Sequence, residues 1–169
     1  MRIIKLFIIS LFILSFVICA ISFFLPSHFR ISRTIRINSS SEVVMKELND
    51  PVQWKVWYPG ADTADFFYES GVVKGLLLKK KPMLSFVISE VKENEVQAIY
   101  ARGNGDQKIL STWKIFPEIG FNHITLQWYM DFHIGWYPWE KFASLVYDKF
   151  YGSMMDQALG KLKSISESK

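Results

Sequence analysis

The chain of 169 residues is poor in the residues that build metal, redox and phosphate sites. It has one cysteine, Cys19, and three histidines, His28, His123 and His133, none at ligand spacing from a second His or Cys. An internal disulfide is therefore excluded, and we expect no metal site. The nine glycines form no phosphate loop and no Gly-x-Ser-x-Gly element occurs, so we expect no cofactor and no nucleophilic hydrolase.

Charge is absent from one long N-terminal stretch, Leu6 to Leu25. Twenty residues at a helical rise of about 1.5 Å cover about 30 Å, the thickness of a bilayer's hydrocarbon core. The stretch therefore predicts a transmembrane helix. The alternative is a cleaved signal peptide, because Arg2 and Lys5 form a cationic start and Ala20-Ile21-Ser22 has small residues at cleavage-like spacing.

The apolar run is longer than the core of a signal peptide and continues past that candidate cleavage site. We therefore favour an uncleaved signal anchor over residues 1–26, followed by one globular domain over residues 27–169. A very short N-terminal flank most simply stays in the cytoplasm. We expect a single-pass protein of the cytoplasmic membrane whose domain lies on the extracytoplasmic side.

The charge balance argues against a nucleic-acid partner. The chain carries 20 basic and 16 acidic residues, a net charge of +4, and two of the basic residues, Arg2 and Lys5, precede the span. The domain is therefore only weakly basic, whereas nucleic-acid binding requires a stronger and more clustered footprint. The run Lys79-Lys80-Lys81 is interpreted as a solvated hairpin end, with contact to anionic lipid headgroups as the alternative.

The hydrophobic pattern changes period twice along the domain. Residues 31–37 alternate as a half-buried strand, and two short helices are predicted over 42–48 and 52–57. Six strands separated by tight turns follow from Thr63 to His133, and Asn104-Gly105 is typical of a two-residue hairpin. From Pro138 onwards, apolar residues recur at three- and four-residue steps, which predicts one helix of about 28 residues lying along an antiparallel sheet.

This order of elements, together with two sequence segments, resembles a known family. Trp54-Lys55-Val56-Trp57-Tyr58-Pro59 follows the first strand and helix, and Gly135-Trp136-Tyr137-Pro138-Trp139-Glu140-Lys141-Phe142 opens the last helix. Over residues 31–168 the chain resembles the START-like (SRPBCC) superfamily, which includes polyketide cyclase/dehydrase-like proteins. The resemblance implies an α+β helix-grip fold, in which a seven-stranded curved antiparallel sheet (β-α-α-β6-α) wraps around a long C-terminal helix and encloses an apolar cavity.

Strand alternation and the helical period indicate which side chains face that interior. They are large, mostly aromatic and uncharged, which suits a site that buries an apolar ligand. A filled core is the alternative, because aromatic rings close a cavity as readily as they line one. The predicted ligand-binding residues are Trp57, Phe86, Tyr100, Trp113, Trp128, Met130, Phe132, Phe142 and Val146.

Catalytic chemistry has little support in the sequence. Asp131 and His133 share a strand face at a spacing that lets a carboxylate orient an imidazole, but that face is predicted to point outward. An enzyme would need an ionisable group that projects into the cavity, for which Glu90 and Arg102 are the other candidates, and the superfamily has no universal catalytic motif.

We therefore expect a membrane-anchored domain that binds or transfers a lipid or another hydrophobic small molecule. The alternatives are an enzyme of the cyclase or dehydratase type and a non-catalytic interaction module, and the ligand and the oligomeric state stay open. Trp136, Tyr137 and Trp139 are expected to pack at the start of the last helix, with a membrane-interface belt as the alternative.

Overall fold

Seven strands form one antiparallel sheet in the computed structural model, which describes residues 2–78, 83–102, 107–118 and 120–169. The spatial order is β1-β7-β6-β5-β4-β3-β2, so consecutive strands pair as hairpins and β1 closes on β7. The predicted strand count and meander are confirmed. The strands are β1 (His28–Ile37), β2 (Asp65–Glu69), β3 (Val72–Leu78), β4 (Leu84–Lys92), β5 (Glu95–Arg102), β6 (Gln107–Pro117) and β7 (Ile124–His133).

Strand β7 shows why the sheet has one buried face. Its side chains alternate strictly between buried and half-buried up to Phe132, as the period of two in a strand requires, and the last one, His133, is exposed. Every second residue from Ile124 to Phe132 is at most 2% exposed, which confirms the face predicted from the sequence. The sheet therefore presents a continuous apolar surface to the helices.

The turns between the strands follow local sequence preferences. Ser70 and Gly71 join β2 to β3 with φ angles of 52° and 80°, the positive values that a two-residue hairpin of the primed type needs. The predicted turn at Asn104-Gly105 and the lysine run at 79–81 lie outside the described residues.

Two short helices connect β1 to β2, as predicted. Helix α2 (Ser41–Asn49) is capped by Ser40, whose Oγ accepts from the backbone N–H of Val43 at 3.4 Å. Helix α3 (Pro51–Trp57) starts at a proline, and the Asp50 carboxylate accepts from the N–H of Val52 at 2.9 Å. These caps satisfy N–H groups that a helix start leaves unpaired, so α3 begins at a fixed point.

The C-terminal region departs from the prediction of one continuous helix. It consists of α4 (Pro138–Ser144), a π-helical turn (Asp148–Gly152) and α5 (Ser153–Glu167). Helix α5 packs on the sheet as expected, and Met155, Ala158, Leu159 and Leu162 are at most 1% exposed. In the first half the predicted apolar stripe faces solvent, because Leu145, Val146 and Phe150 are 62–71% exposed, and Tyr147 and Tyr151 pack on Phe132 of the sheet instead.

The physical reason is a shift of helical register before α5. Two residues at 145–146 interrupt the helix, and a π-helical turn holds more residues per turn than an α-helix, so the apolar stripe of the first half rotates away from the sheet. Arg33 of β1 lies against the turn: its guanidinium bonds Asp148 at 3.0 Å and Asp156 at 3.4 Å. A Cβ atom on Gly152 would lie 2.7 Å from the Arg33 Cζ atom, so glycine lets the two come close.

Helix α1 (Arg2–Phe24) precedes the sheet and is exposed along almost its whole length. It is the one helix among the described residues that is long and apolar enough to cross a membrane, a property that signal sequences share. Its contact with the domain is made by α4: the Nζ of Lys141 donates to the carbonyl oxygen of Leu25 at 2.8 Å. Lys141 is 7% exposed, so this contact is shielded from water.

The close approach of β3 and β4 at Gly75 gives a testable prediction. A Cβ atom on Gly75 would meet the carbonyl oxygen of Phe86 and lie 2.7 Å from the Val87 Cα atom, both on the paired backbone of β4. Gly75→Ala should therefore force the strands apart and lower the free energy of unfolding by about 1–3 kcal/mol. Urea unfolding of the full chain in detergent measures this change.

Gly160→Ala is the matched control, because Gly160 lies within α5 with open space around its Cα. The same substitution should raise stability there by about 0.5–1 kcal/mol through helix propensity. Equal effects at the two positions would contradict the account of the β3–β4 contact.

Candidate functional site

Six aromatic residues from α3 and the sheet form a contiguous cluster in the interior, here called the aromatic cluster. The rings of Trp54 and Phe86 pack at a tilt with centroids 4.8 Å apart, and the ring centroids of Trp113 and Trp128 are 5.3 Å apart. All are at most 8% exposed. This part of the interior is therefore occupied by side chains. The members of the cluster are Trp54, Trp57, Tyr58, Phe86, Trp113 and Trp128.

The indole N–H groups of this cluster are unequally satisfied. Trp128 Nε1 donates to Ser111 Oγ at 2.7 Å, and Trp54 Nε1 donates to the carbonyl oxygen of Leu48 at 2.9 Å. Among the described residues, Nε1 of Trp57 and Nε1 of Trp113 have no hydrogen-bond partner, although both rings are fully buried. Buried donors are normally paired, so two adjacent unpaired ones mark a place where a water molecule or a ligand acceptor would be stabilised.

A groove of about 610 Å³ opens where the end of α3 meets the C-terminal region. Met154 connects the groove with the aromatic cluster, because its Sδ atom accepts a hydrogen bond from the Tyr58 hydroxyl at 3.9 Å. Four of the lining side chains are apolar and three are polar, and most come from the π-helical turn and the start of α5. They are Pro59, Val146, Lys149, Phe150, Ser153, Met154 and Gln157.

Three tyrosines near the groove stay protonated at neutral pH. Burial raises the pKa of Tyr58, and Tyr100 and Tyr151 raise it further. Burial also raises the pKa of Tyr151 to about 12 and raises that of Tyr100, whereas Arg102 acts in the opposite direction on both. These phenols can donate hydrogen bonds but do not act as phenolate bases near pH 7.

The structure divides the nine predicted ligand-binding residues into three groups. Trp57, Trp113, Trp128 and Met130 are completely buried, and Phe86 and Phe132 are 2% exposed, so all six face the interior. Tyr100 and Phe142 are half-buried. Val146 is 62% exposed and lines the groove instead of the interior, because the helix is interrupted at that point.

The ionisable groups considered for catalysis lie away from the interior. Asp131 is held on the opposite sheet face by Arg30 through two bonds of 2.6 and 2.9 Å, as the strand alternation predicted. His133 packs edge-on against His28 at 4.3 Å. Glu90 pairs with Lys92 at 3.0 Å.

Sequence reasoning missed part of the site. Trp54 and Tyr58 belong to the aromatic cluster, and Pro59 and Met154 line the groove. Trp54, Trp57 and Tyr58 stand at helical steps of three and four residues, which place them on one helix face. That spacing was sufficient to identify them, whereas nothing local links Pro59 to Met154.

The fold agrees with a comparison against known families. Residues 28–167 match the model of the family described as "Polyketide cyclase / dehydrase and lipid transport". This match covers most of the chain, so the protein belongs to that family, and the predicted superfamily is confirmed. No curated protein matches the chain by sequence.

Solved structures share the fold at low sequence identity. A START superfamily protein from Mycobacterium smegmatis is 18% identical with a TM-score of 0.58, over 82% of this chain and 97% of that one. The protein XoxI from Bacillus cereus is 16% identical with a TM-score of 0.57, over 83% and 96%. Norcoclaurine synthase from Thalictrum flavum, solved with dopamine and hydroxybenzaldehyde, is 15% identical with a TM-score of 0.60, over 84% and 88%.

The buried phenol of Tyr58 generates a prediction about alkaline stability. Its pKa is raised in the folded protein from 10.0, so its contribution to stability is complete below pH 10 and is lost as the pH rises above that value. The loss should be about 1.4 kcal/mol for each pH unit while the folded phenol stays protonated. Urea midpoints of the full chain in detergent between pH 8 and pH 11 measure it.

Tyr58→Phe should reduce this pH dependence by the share of one phenol, because phenylalanine does not ionise while Tyr100 and Tyr151, whose pKa values are also raised, remain. Tyr68→Phe is the matched control, since Tyr68 is 61% exposed on β2. A slope that changes equally in the two variants would show that the buried phenol is not its source.

Proposed function

We propose that this protein is a membrane-anchored domain that binds a lipid or another hydrophobic small molecule in the groove beside α3. The observation that carries the proposal is the groove itself, with its volume of about 610 Å³ and its apolar lining. Ligand pockets for small molecules typically have about 300–1,000 Å³, mostly apolar walls and a few polar groups.

Exposure of the groove side chains supports an apolar ligand. Val146 is 62% exposed and Phe150 is 71% exposed, and both line the groove. Covering apolar surface gains about 25 cal/mol per Å², so an acyl chain or an apolar ring lying across these two residues is stabilised.

Polar side chains at the same groove suit a ligand with one polar end. Lys149, Ser153 and Gln157 provide a cation, a hydroxyl and an amide next to the apolar wall. An amphipathic molecule can place its anionic or hydrogen-bonding group on these residues and its apolar part against Phe150 and Met154. The family's description, which includes lipid transport, supports this class of ligand.

The predicted interior residues enter this proposal only through two unpaired donors. The rings of Trp57 and Trp113 contact each other edge-on with centroids 6.0 Å apart, and both N–H groups lack a partner among the described residues. Because side chains fill this part of the interior and neither ring lines the groove, a ligand oxygen would reach these donors only after the surrounding side chains rearrange.

The anchor is α1, proposed to remain attached and to cross the bilayer once. Its apolar run and its contact with α4 favour a retained helix over a removed one, since Lys141 is buried against Leu25 at its end. The domain of residues 27–169 is then proposed to lie on the extracytoplasmic side, because the short N-terminal flank stays in the cytoplasm.

A cyclase or dehydratase activity would depend on one residue. Lys149 is the one ionisable side chain among the described residues that line the groove. Acid–base catalysis of that type generally uses a positioned donor and acceptor, so binding without chemistry is the better supported function.

Phe150→Glu tests the groove as the binding site. A carboxylate in the apolar wall should oppose an apolar or anionic ligand. The amount of lipid that co-purifies with the full chain, after subtraction of the lipid that co-purifies with the isolated span, should fall at least tenfold. Mass spectrometry after solvent extraction of the detergent-purified protein measures the bound molecules.

Phe121→Glu is the matched control, because Phe121 is also strongly exposed, at 68%, and does not line the groove. It should retain the wild-type amount of ligand. The same lipid content in both variants would contradict the proposed site.

A further inference from the structure

Three aromatic residues after β7 form an exposed stack, here called the aromatic ladder: Trp136, Tyr137 and Trp139. The ring centroids of Trp136 and Tyr137 are 4.6 Å apart, and those of Tyr137 and Trp139 are 4.7 Å apart. The two tryptophans are 74% and 67% exposed. They were expected to pack at the start of the last helix, and this expectation is wrong, because the ladder lies outside the core.

The ladder stands beside α1. A cleft of about 490 Å³ separates the two, and α1 contributes one wall of it. Hydrogen bonds of the flanking residues fix the position of the ladder. The N–H of Gly135 donates to the Glu140 carboxylate at 2.8 Å, and the Nζ of Lys141 donates to the carbonyl oxygen of Leu25. The residues of α1 in this wall are Leu11, Leu14, Ser15, Ile18 and Cys19.

The position along α1 gives the depth of the ladder. Four of the five wall residues, from Cys19 back to Leu14, precede Leu25, the end of the apolar run, by six to eleven residues, which is about 9 to 16 Å of helix, and Leu11 precedes it by fourteen, about 21 Å. Half of a hydrocarbon core is about 15 Å. If α1 spans the bilayer as proposed, the ladder lies mainly beside the half of the span nearer the domain and reaches the middle of the span.

We infer that the aromatic ladder inserts into the domain-side leaflet and forms a second membrane contact beside the span. The inference rests on the proposed span, and its physical basis is that the ladder and the span share one environment. Rings that share a cleft with Leu14 and Ile18 are surrounded by whatever surrounds that part of α1, and around a span this is lipid. Tryptophan and tyrosine combine a large apolar ring with one polar atom, the combination that membranes accommodate between acyl chains and headgroups.

The neighbouring polar groups are compatible with insertion. Lys141 is 7% exposed and directs its ammonium to the Leu25 carbonyl, and the Glu140 carboxylate accepts from Gly135, so neither charge has to face lipid alone. The backbone N–H of Ile134 is also paired, with Ser27 at 2.9 Å. Unpaired polar groups would make insertion costly, and these three are satisfied.

Insertion would bring the groove close to the membrane. Val146, which lines the groove, follows Trp139 by seven residues, about 10 Å if measured as helix. A lipid could then pass between the leaflet and the groove without crossing water. This consequence, unlike the insertion itself, also rests on the proposed ligand-binding function.

Fluorescence quenching of the full chain in phosphatidylcholine nanodiscs tests the inference. The other four tryptophans are completely buried, so contact quenchers act only on Trp136 and Trp139. Acyl-brominated phosphatidylcholine should quench the wild-type chain, and this quenching should be lost in the Trp136→Phe/Trp139→Phe double variant. Aqueous iodide should have little effect on either.

Phe121→Trp in the double-variant background is the matched control. Phe121 is 68% exposed and precedes β7, whose ten residues place it about 30 Å along the strand from His133, the end paired with His28 next to α1. Its emission should be quenched by iodide and not by the brominated lipid. The near-UV circular dichroism of each variant verifies that the interior is intact.

Three results would overturn the inference. Iodide quenching of the wild type without lipid quenching would place the ladder in water. Quenching by neither agent would mean that protein covers it, such as a second copy of this chain. Loss of the chain from the nanodiscs would contradict both the proposed span and the insertion of the ladder. The lipid content of the Phe150→Glu variant tests the groove independently.

Discussion

The packing of α3 on the middle of the sheet is the contact on which the rest of the domain depends. One face of this short helix carries Trp54 and Trp57, and Tyr58 follows as its C-cap. These rings meet Phe86, Trp113 and Trp128 on three strands. The caps at Ser40 and Asp50 fix where α2 and α3 begin. Because α3 ends at Trp57, Pro59 lies at the edge of the interior, where it lines the groove. The same contact therefore closes the core and positions one wall of the site.

The sheet could be predicted because its information is local. Alternation along β7 identifies the buried face from Ile124 to Phe132, and turn residues such as Ser70-Gly71 separate the strands. The C-terminal helix was predicted less well, since periodicity continues through residues 145–152 while the backbone there changes its helical type. That change involves Arg33, more than 110 residues earlier in the chain. A pattern read along one segment does not contain such a contact.

The site likewise has one part that local sequence predicts and one part that depends on contacts between distant segments. Its interior residues lie on regular strands, and Phe86, Trp113 and Trp128 were identified from the pattern. The groove is built where Pro59 meets Phe150 and Met154, which only the folded chain brings together. Membership of a family described by polyketide cyclisation and lipid transport agrees with an apolar site but names no ligand. The apolar and polar side chains that share the groove are the basis of the proposed amphipathic ligand.

Photo-crosslinking with a diazirine-bearing phosphatidylcholine tests the central claim most directly. The full chain in nanodiscs is irradiated, and mass spectrometry locates the lipid adducts on its peptides. The account predicts adducts on the groove segment, residues 146–157, in addition to those that any annular lipid leaves on α1. Adducts confined to α1, with the groove segment unlabelled, would contradict it.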